Sequence, residues 1–168
     1  AGFGGQGILF AGKLLAYAGM LKGKEVSWLP SYGPEMRGGT ANCHVIISDD
    51  PIASPIIQKP DALIALNGPS LEKFEKAVAE TGKIYYDSSL IAKTPESDAQ
   101  AFAVPATQMA IDMNASTLAN MVTLGKFAKE TGVITLDEMK SALEKLVPPK
   151  KAALIEVNKK ALDAGYSI

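Results

Sequence analysis

The sequence predicts a three-layer α/β/α domain with a mixed β-sheet and a helical C-terminal third. A glycine-rich turn leads directly into a stretch of apolar residues at helical spacing, as at the first turn of a Rossmann-like fold. Strand-like and helix-like segments then alternate as far as Asn114, and only helical segments follow it. A chain of 168 residues, 47% of them hydrophobic, suits one domain, so we expect residues 1–168 to form a single unit.

The strands are predicted where short apolar runs lie between turn residues. A short non-helical stretch joins the first two runs, and a parallel crossover needs a dozen or more residues. We therefore expect a mixed sheet with helices on both faces, and a loop over Ser31–Thr40. The five predicted strands are Val26–Leu29, Asn42–Ile47, Asp61–Leu66, Ile84–Asp87 and Ala101–Val104.

Glycine, proline and capping residues divide the helical segments. The first helix follows the glycine turn and should end near Gly23. The second should begin at Pro69 and run to Gly82. Three more are expected: one from a cap at Asn114 or Ser116 to Gly132, one from a Thr135/Glu138 capping box to Pro148-Pro149, and one over Lys150–Gly165.

The first candidate site is the turn Gly2-Phe3-Gly4-Gly5-Gln6-Gly7, which fits the pattern G-x-G-x-x-G. Glycines let backbone N–H groups approach a phosphate, and the helix that follows directs its positive end at the same place. The alternative is that the glycines only let the helix pack closely on the sheet. Such a turn normally follows a buried strand, so we expect that strand to precede Ala1.

An NAD site is not favoured at this turn. A dinucleotide fold places an acidic residue roughly 20 positions further on, where it binds the ribose. Here that position falls in Trp28-Leu29-Pro30-Ser31-Tyr32, which contains no acidic residue. We therefore predict weak NAD binding or none.

The second candidate site is the segment Tyr32–Thr40, which should lie near the ligand-binding edge of the sheet. Arg37 stands beside Gly38 and Gly39, where its guanidinium can grip a phosphate or carboxylate with two hydrogen bonds. Glu35 could pair with Arg37 or contact a neighbouring chain. The alternative is an ordinary surface loop with a solvated ion pair.

Composition excludes several classes of function. A net charge of −1 gives no broad attraction to nucleic acid or anionic lipid. Cys43 and His44 are the only cysteine and histidine, and adjacent strand residues face opposite sides, so we expect no metal or iron–sulfur cluster here. Asp87-Ser88-Ser89 could bind a polar ligand, but no catalytic residue is predicted. We expect a cytoplasmic protein without a membrane span.

Taken in order, several segments resemble the gamma subunits of 2-oxoacid:ferredoxin oxidoreductases, which act on pyruvate, 2-oxoisovalerate or 2-oxoglutarate. Glu35-Met36-Arg37-Gly38-Gly39 is the most specific of them. The resemblance covers essentially the whole chain. Its segments are the glycine turn, Tyr32–Ala41, Asn114 with Asn120–Gly125, and Glu156–Gly165.

The resemblance implies a subunit of a larger enzyme. Such complexes decarboxylate a 2-oxoacid oxidatively with thiamine diphosphate and Mg²⁺, form an acyl-CoA, and pass electrons through iron–sulfur clusters to ferredoxin. Alpha, beta and delta-type subunits would be the partners, and the thiamine and cluster duties would belong to other subunits. We expect Gly4, Gly5, Gln6 and Gly7, with Arg37, Gly38 and Gly39, to contribute to a coenzyme A site.

Two alternatives stay open at this point. One is an assembly module whose glycine loops only pack against partners. The other is a stand-alone nucleotide-binding enzyme, which would need an acidic ribose partner or a catalytic constellation. A related region also occurs in indolepyruvate oxidoreductases, so the resemblance does not name the 2-oxoacid.

Overall fold

The computed structural model describes residues 1–33 and 39–168. Six strands and six α-helices lie in these two ranges, in the order β1 (Gly2–Phe3), α1 (Ile8–Leu21), β2 (Glu25–Tyr32), β3 (Thr40–Ser48), β4 (Ala62–Ala65), α2 (Gly68–Phe74), β5 (Lys83–Asp87), β6 (Gln100–Val104), α3 (Ala106–Asp112), α4 (Ala119–Thr131), α5 (Leu136–Leu146) and α6 (Ala153–Ser167). Single 3₁₀ turns follow α2 and precede α4 and α6.

The strands form two three-stranded sheets, one antiparallel and one parallel, so both kinds of pairing occur, as predicted for a mixed sheet. The order β1-β3-β2 is antiparallel throughout, and the order β4-β5-β6 is parallel throughout. Ala1 joins the two halves, because its amino group donates to the Ile64 carbonyl (2.7 Å) and its carbonyl accepts from the Leu66 N–H (3.0 Å). This is the hydrogen-bond pattern of a parallel pair, so β1 lies between β3 and β4.

Helices cover both faces of the sheet, which confirms the three-layer arrangement. One core joins α1, α4, α5 and α6 to the face that carries Tyr85, whose ring stacks on Phe102 at 5.1 Å between centroids. The opposite core joins α2 to the face that carries Ile84 and Tyr86. Alternate residues of β5 thus face opposite cores, as the pleat of a strand requires.

The packing of α4 against α6 explains why the Asn120–Gly125 segment ends in glycine. A Cβ added at Gly125 would lie 2.1 Å from the Leu162 carbonyl oxygen, and one at Gly165 would lie 1.8 Å from the Val122 carbonyl oxygen. Each glycine therefore lets the backbone of one helix approach the other closely. The two helices therefore pack closely against each other.

Three segments differ from the predictions. The hairpin strands are longer than expected, because Tyr32 pairs with Ala41 and takes up part of the predicted Ser31–Thr40 loop. Helix α2 ends at Phe74 rather than Gly82, and its last turn continues as a 3₁₀ turn in which the buried Glu75 carboxylate accepts from the Glu96 N–H (2.8 Å). Helix α3 was not predicted at all.

The other helix boundaries lie close to the predictions. The capping box at α5 is present, and α5 ends before the Pro148-Pro149 pair. Neither Asn114 nor Ser116 caps α4 directly, since Ser116 begins a 3₁₀ turn that leads into Ala119. Asn114 instead takes a left-handed conformation, with φ 55°.

Candidate functional site

The glycine turn lies where β1 ends and α1 begins. Gly7 is the N-cap residue of α1. It has a left-handed φ of 71°, and no side chain caps the helix. The first intrahelical bond runs from the Ala11 N–H to the Gly7 carbonyl (3.0 Å), so the amides of Ile8, Leu9 and Phe10 precede it. These amides carry the positive end of the helix dipole and are donors for an anion.

The neighbouring strands bring further elements to the same edge. Ala1, directly before β1, bonds to β4 in the parallel pattern, and the helices that follow β1 and β4 cover opposite faces, since α1 packs on one core and α2 on the other. The crevice between such strands, at their carboxyl ends, is where open α/β sheets bind ligands. The glycine turn lies on one side of this crevice and Leu66-Asn67 on the other.

Gln6 spans the crevice with its side chain. Its Nε2 donates to the Leu66 carbonyl (2.8 Å), and its Oε1 accepts from the Phe3 N–H (2.7 Å) and from Asn67 Nδ2 (3.3 Å). The amide group therefore ties the two ends of the turn together and ties the turn to β4. Gln6 was predicted as a ligand contact, and its hydrogen bonds within the chain indicate support of the turn's shape.

Asn120, the second residue of α4, bonds to the other side of the turn. Its Nδ2 donates to the Gly7 carbonyl (3.0 Å), and its Oδ1 accepts from the Met121 N–H (2.9 Å). A Cβ at Gly7 would lie 2.4 Å from Asn120 Nδ2. Glycine is thus required at position 7 both by the positive φ and by the approach of α4.

A cavity of about 240 Å³ opens beside the turn. Gly4, Gly5 and Gly7 contribute to its wall, and a Cβ at Gly5 would meet nothing within 4 Å. The first turn of α1 and the start of β3 complete the lining, through Phe3, Ile8, Leu9, Phe10, Gly39, Thr40 and Ala41. The lining is mostly apolar.

Gly39 connects the second predicted motif to this cavity. Its carbonyl accepts from the Gly4 N–H (2.8 Å), and β3 begins at the next residue. β2 ends at Tyr32 on the same edge, since β2 and β3 are antiparallel neighbours. The predicted contacts Arg37 and Gly38 lie outside the described residues, as do Glu35 and Met36, but Gly39, which follows this segment, bonds directly to the glycine turn.

The remaining polar candidates serve the fold. Asp87 is fully buried, and its carboxylate accepts from the Ser89 N–H (3.1 Å), the Thr107 N–H (3.3 Å) and the Thr107 hydroxyl. His44 Nδ1 accepts from the Ile57 N–H (3.0 Å), whereas the Cys43 thiol faces the Ile8 carbonyl at 3.7 Å. Burial raises the pKa of Cys43, which keeps the thiol protonated at neutral pH.

Asn120 and Asn67 were not predicted as parts of the site. The segment containing Asn120 was identified by resemblance, but nothing in its local pattern placed it against Gly7. In the ranges the structure describes, no group of three or more His, Cys, Asp or Glu side chains is arranged to hold a metal. None of the described helices is long and apolar enough to cross a membrane.

The fold and the site define an α/β domain with an open, glycine-lined helix start at its ligand-binding edge. The family model described as "Pyruvate ferredoxin/flavodoxin oxidoreductase" matches residues 1–168. The chain belongs to this family, and the predicted resemblance is confirmed.

Individual relatives agree with this assignment. Ketoisovalerate oxidoreductase subunit VorA of Methanothermobacter thermautotrophicus is 42% identical over 98% of this chain but only 34% of its own length, so the chain spans about a third of that relative. The 2-oxoglutarate synthase subunit KorC of Methanocaldococcus jannaschii is 36% identical over 100% of this chain and 90% of its own length.

Two solved structures share the fold. The keto/oxoacid ferredoxin oxidoreductase gamma subunit of Geobacter sulfurreducens has a TM-score of 0.82 and 34% identity, over 99% of this chain and 93% of its own. The 2-oxoglutarate:ferredoxin oxidoreductase of Magnetococcus marinus, described with 2-oxoglutarate, coenzyme A and succinyl-CoA bound, has a TM-score of 0.87 and 25% identity, over 99% of this chain and 29% of its own.

Proposed function

We propose that this chain is the gamma component of a multisubunit 2-oxoacid:ferredoxin oxidoreductase. The complex would convert a 2-oxoacid to an acyl-CoA and pass the electrons to ferredoxin. Family membership and the match to a gamma subunit over nearly its whole length support this proposal. The alpha, beta and delta-type subunits would carry thiamine diphosphate, Mg²⁺ and the iron–sulfur clusters, and the complex would work in the cytoplasm.

Within that complex, we propose that the glycine turn helps to bind the phosphate groups of coenzyme A. The observation that carries this proposal is the start of α1, which has no side-chain cap and whose first-turn residues line a cavity together with Gly4, Gly5 and Gly39. Backbone amides at a helix N-terminus bind phosphate, and glycines let the phosphate come close. The turn therefore fits an anionic group approached by backbone rather than by side chains.

Arg37 and Gly38 complete the proposed site. Arg37 is the only arginine in the chain, and Gly39, two residues on, bonds directly to Gly4. An arginine guanidinium can bind a phosphate with two parallel hydrogen bonds. Coenzyme A supplies the thiol that accepts the acyl group. The part of this chain is to hold the phosphate end of that molecule in place.

The 2-oxoacid is proposed only as a class. VorA is named for ketoisovalerate and KorC for 2-oxoglutarate, and their identities to this chain, 42% and 36%, are similar. Nothing in the described residues of the site distinguishes one 2-oxoacid side chain from another. We therefore assign selection of the 2-oxoacid to other subunits.

The test is Arg37→Ala in the reconstituted complex, with Arg37→Lys beside it. Loss of a hydrogen bond to a charged group costs about 1.5–3 kcal/mol, so the apparent KM for coenzyme A should rise roughly tenfold to a hundredfold. The KM of Arg37→Lys should lie between those of wild type and Arg37→Ala, because an ammonium keeps the charge but lacks the planar fork of a guanidinium. Lys145→Ala, which removes an exposed cation on α5, is the control and should change neither assembly nor KM.

The outcomes separate the alternatives. An unchanged KM for coenzyme A in a fully assembled Arg37→Ala complex would contradict the proposed coenzyme A site. Failure of the variant to assemble, with the isolated subunit still folded, would support the assembly-module alternative instead.

A further inference from the structure

The Asn120–Gly125 segment has a second part that helix packing does not explain. Gly125 serves the contact between α4 and α6, but Asn120 points away from that contact to the glycine turn. The two residues in hydrogen-bond contact, Asn120 and Gly7, are 113 positions apart in the chain. The packing of α4 against α6 does not account for this long-range hydrogen bond.

Both ends of the Asn120 amide have a hydrogen-bond partner. The residue is only 4% exposed, its Nδ2 donates to the Gly7 carbonyl, and its Oδ1 accepts from the Met121 N–H. A buried amide with fixed partners at both ends has one orientation, since any other would leave a polar group unsatisfied. The direction of the bond to Gly7 is therefore fixed.

The element that carries Asn120 is closely packed. Helix α4 packs against α6 with Gly125 and Gly165 at backbone contact, and its buried face belongs to the larger core. Asn120 thus connects a closely packed helix pair to the carbonyl that also begins the hydrogen bonding of α1. The position of Gly7 in turn sets the direction of the amides that follow it.

We infer that Asn120 is a positioning residue, which holds Gly7 so that the first-turn amides of α1 face the phosphate groups of coenzyme A. The inference rests on the proposed function for the identity of the ligand, but the hold on the turn itself does not. Gln6 supports the same turn from the β4 side. The turn is therefore bonded on one side to the residues after β4, through Gln6, and on the other side to α4, through Asn120.

The experiment compares Asn120→Asp with Asn158→Asp in the assembled complex. Asn158 is a matched control, because it is 6% exposed and its Nδ2 also donates to a backbone carbonyl, that of Leu154 (2.7 Å), but within α6. At Asn120 the aspartate would set an acceptor against the Gly7 carbonyl, whereas at Asn158 it would affect only α6. Asn120→Ala removes the hold without adding charge and serves if the aspartate prevents folding.

Two measurements are made on each complex. The first is amide hydrogen exchange without coenzyme A at Gly4, Gln6 and Ala11, whose N–H groups bond to the carbonyls of Gly39, Phe3 and Gly7. We expect exchange to be roughly tenfold or more faster in the Asn120 variants than in Asn158→Asp. The second is steady-state kinetics, in which the Asn120 variants should raise the apparent KM for coenzyme A with little change in kcat.

The results also separate this inference from the proposed function. Equal exchange at the turn in the Asn120 and Asn158 variants would overturn the positioning role. So would an unchanged KM in the Asn120 variants when Arg37→Ala raises it. Faster exchange at the turn, with a KM for coenzyme A that neither Asn120 nor Arg37 affects, would support the hold on the turn and contradict the proposed coenzyme A site.

Discussion

Helices α1 and α5 begin in opposite ways. At α5, Thr135 Oγ1 accepts from the Glu138 N–H (3.2 Å), and Glu138 Oε2 accepts from the Thr135 N–H (2.8 Å). At α1, Gly7 has no side chain to offer, and the residues of the first turn line a cavity. The α5 start satisfies its own donors and stabilises the fold, whereas the α1 start leaves its donors for another group.

The other helix starts resemble α5 more than α1. Asn67 Oδ1 caps α2 at the Ser70 N–H (2.8 Å), and the Asp87 carboxylate accepts from the Thr107 N–H in the first turn of α3. α4 and α6 continue directly from 3₁₀ turns. Among the described helices, α1 alone begins at the ligand-binding edge with neither device, which is why we place the ligand there.

The largest effect is expected for Gly7→Ala. A left-handed φ costs an alanine about 1–2 kcal/mol, and its Cβ would displace the Asn120 amide, so we expect a loss of about 3 kcal/mol in unfolding free energy. Gly132→Ala is the control, since its φ is 63° but its Cβ would meet nothing within 4 Å. Denaturant unfolding of both variants tests this. Equal losses would mean that Asn120 does not constrain the turn.

Asp87→Ala should open the start of α3 in the way that α1 is open. The N–H groups of Ser89 and Thr107 would lose the acceptor that the buried Asp87 carboxylate provides, so we expect a loss of about 2 kcal/mol in unfolding free energy. The KM for coenzyme A should not change, because Asp87 supports the fold. A raised KM with normal stability would show that Asp87 belongs to the ligand site. Asp112→Ala, at an exposed position of the same helix, should lose much less.

Thr135→Ala removes the cap of α5 and should cost about 1 kcal/mol in unfolding free energy. Coenzyme A kinetics should again be unaffected. Thr135→Ser keeps the hydroxyl and should restore most of the stability, as thermal unfolding of the two variants can show. If serine were no better than alanine, the cap would not be the source of the loss.

Glu138→Gln should have the smallest effect and should depend on pH. The hydrogen bond from the Thr135 backbone, together with Lys22, holds the pKa of Glu138 below its ordinary value of 4.5. A lowered folded-state pKa adds stability that is present above that value and is lost as the pH falls through the folded-state pKa. Glutamine keeps the hydrogen bond, so we expect only a few tenths of a kcal/mol at neutral pH.

The measurement is the difference in unfolding free energy between wild type and Glu138→Gln at pH 7 and at pH 3. The difference should shrink at the lower pH, where the carboxylate becomes protonated. A difference that grows on acidification would mean that folding raises the pKa of Glu138 instead of lowering it.

The sequence by itself determined the features that depend on nearby residues. The glycine turn and α1, the capping box of Thr135 and Glu138, and the break after α5 at Pro148 are each encoded within a few positions. The mixed sheet followed from a connection too short for a parallel crossover. The family was identified because its segments occur in order along the whole chain, and Arg37 and Gly38 remain predictions of that kind.

Only the tertiary structure decided which residues hold the candidate site. Gln6 reaches Leu66 across 60 positions and Asn120 reaches Gly7 across 113, and no local pattern encodes either contact. Helix α3 was missed for the same reason, since part of its N-terminal cap comes from Asp87, 20 positions earlier. The ends of β2 and β3 were also not predictable from local propensity, because pairing between the two strands sets them. Hydrogen bonds between distant residues depend on the packing of the sheet and helices, which exists only in the folded chain.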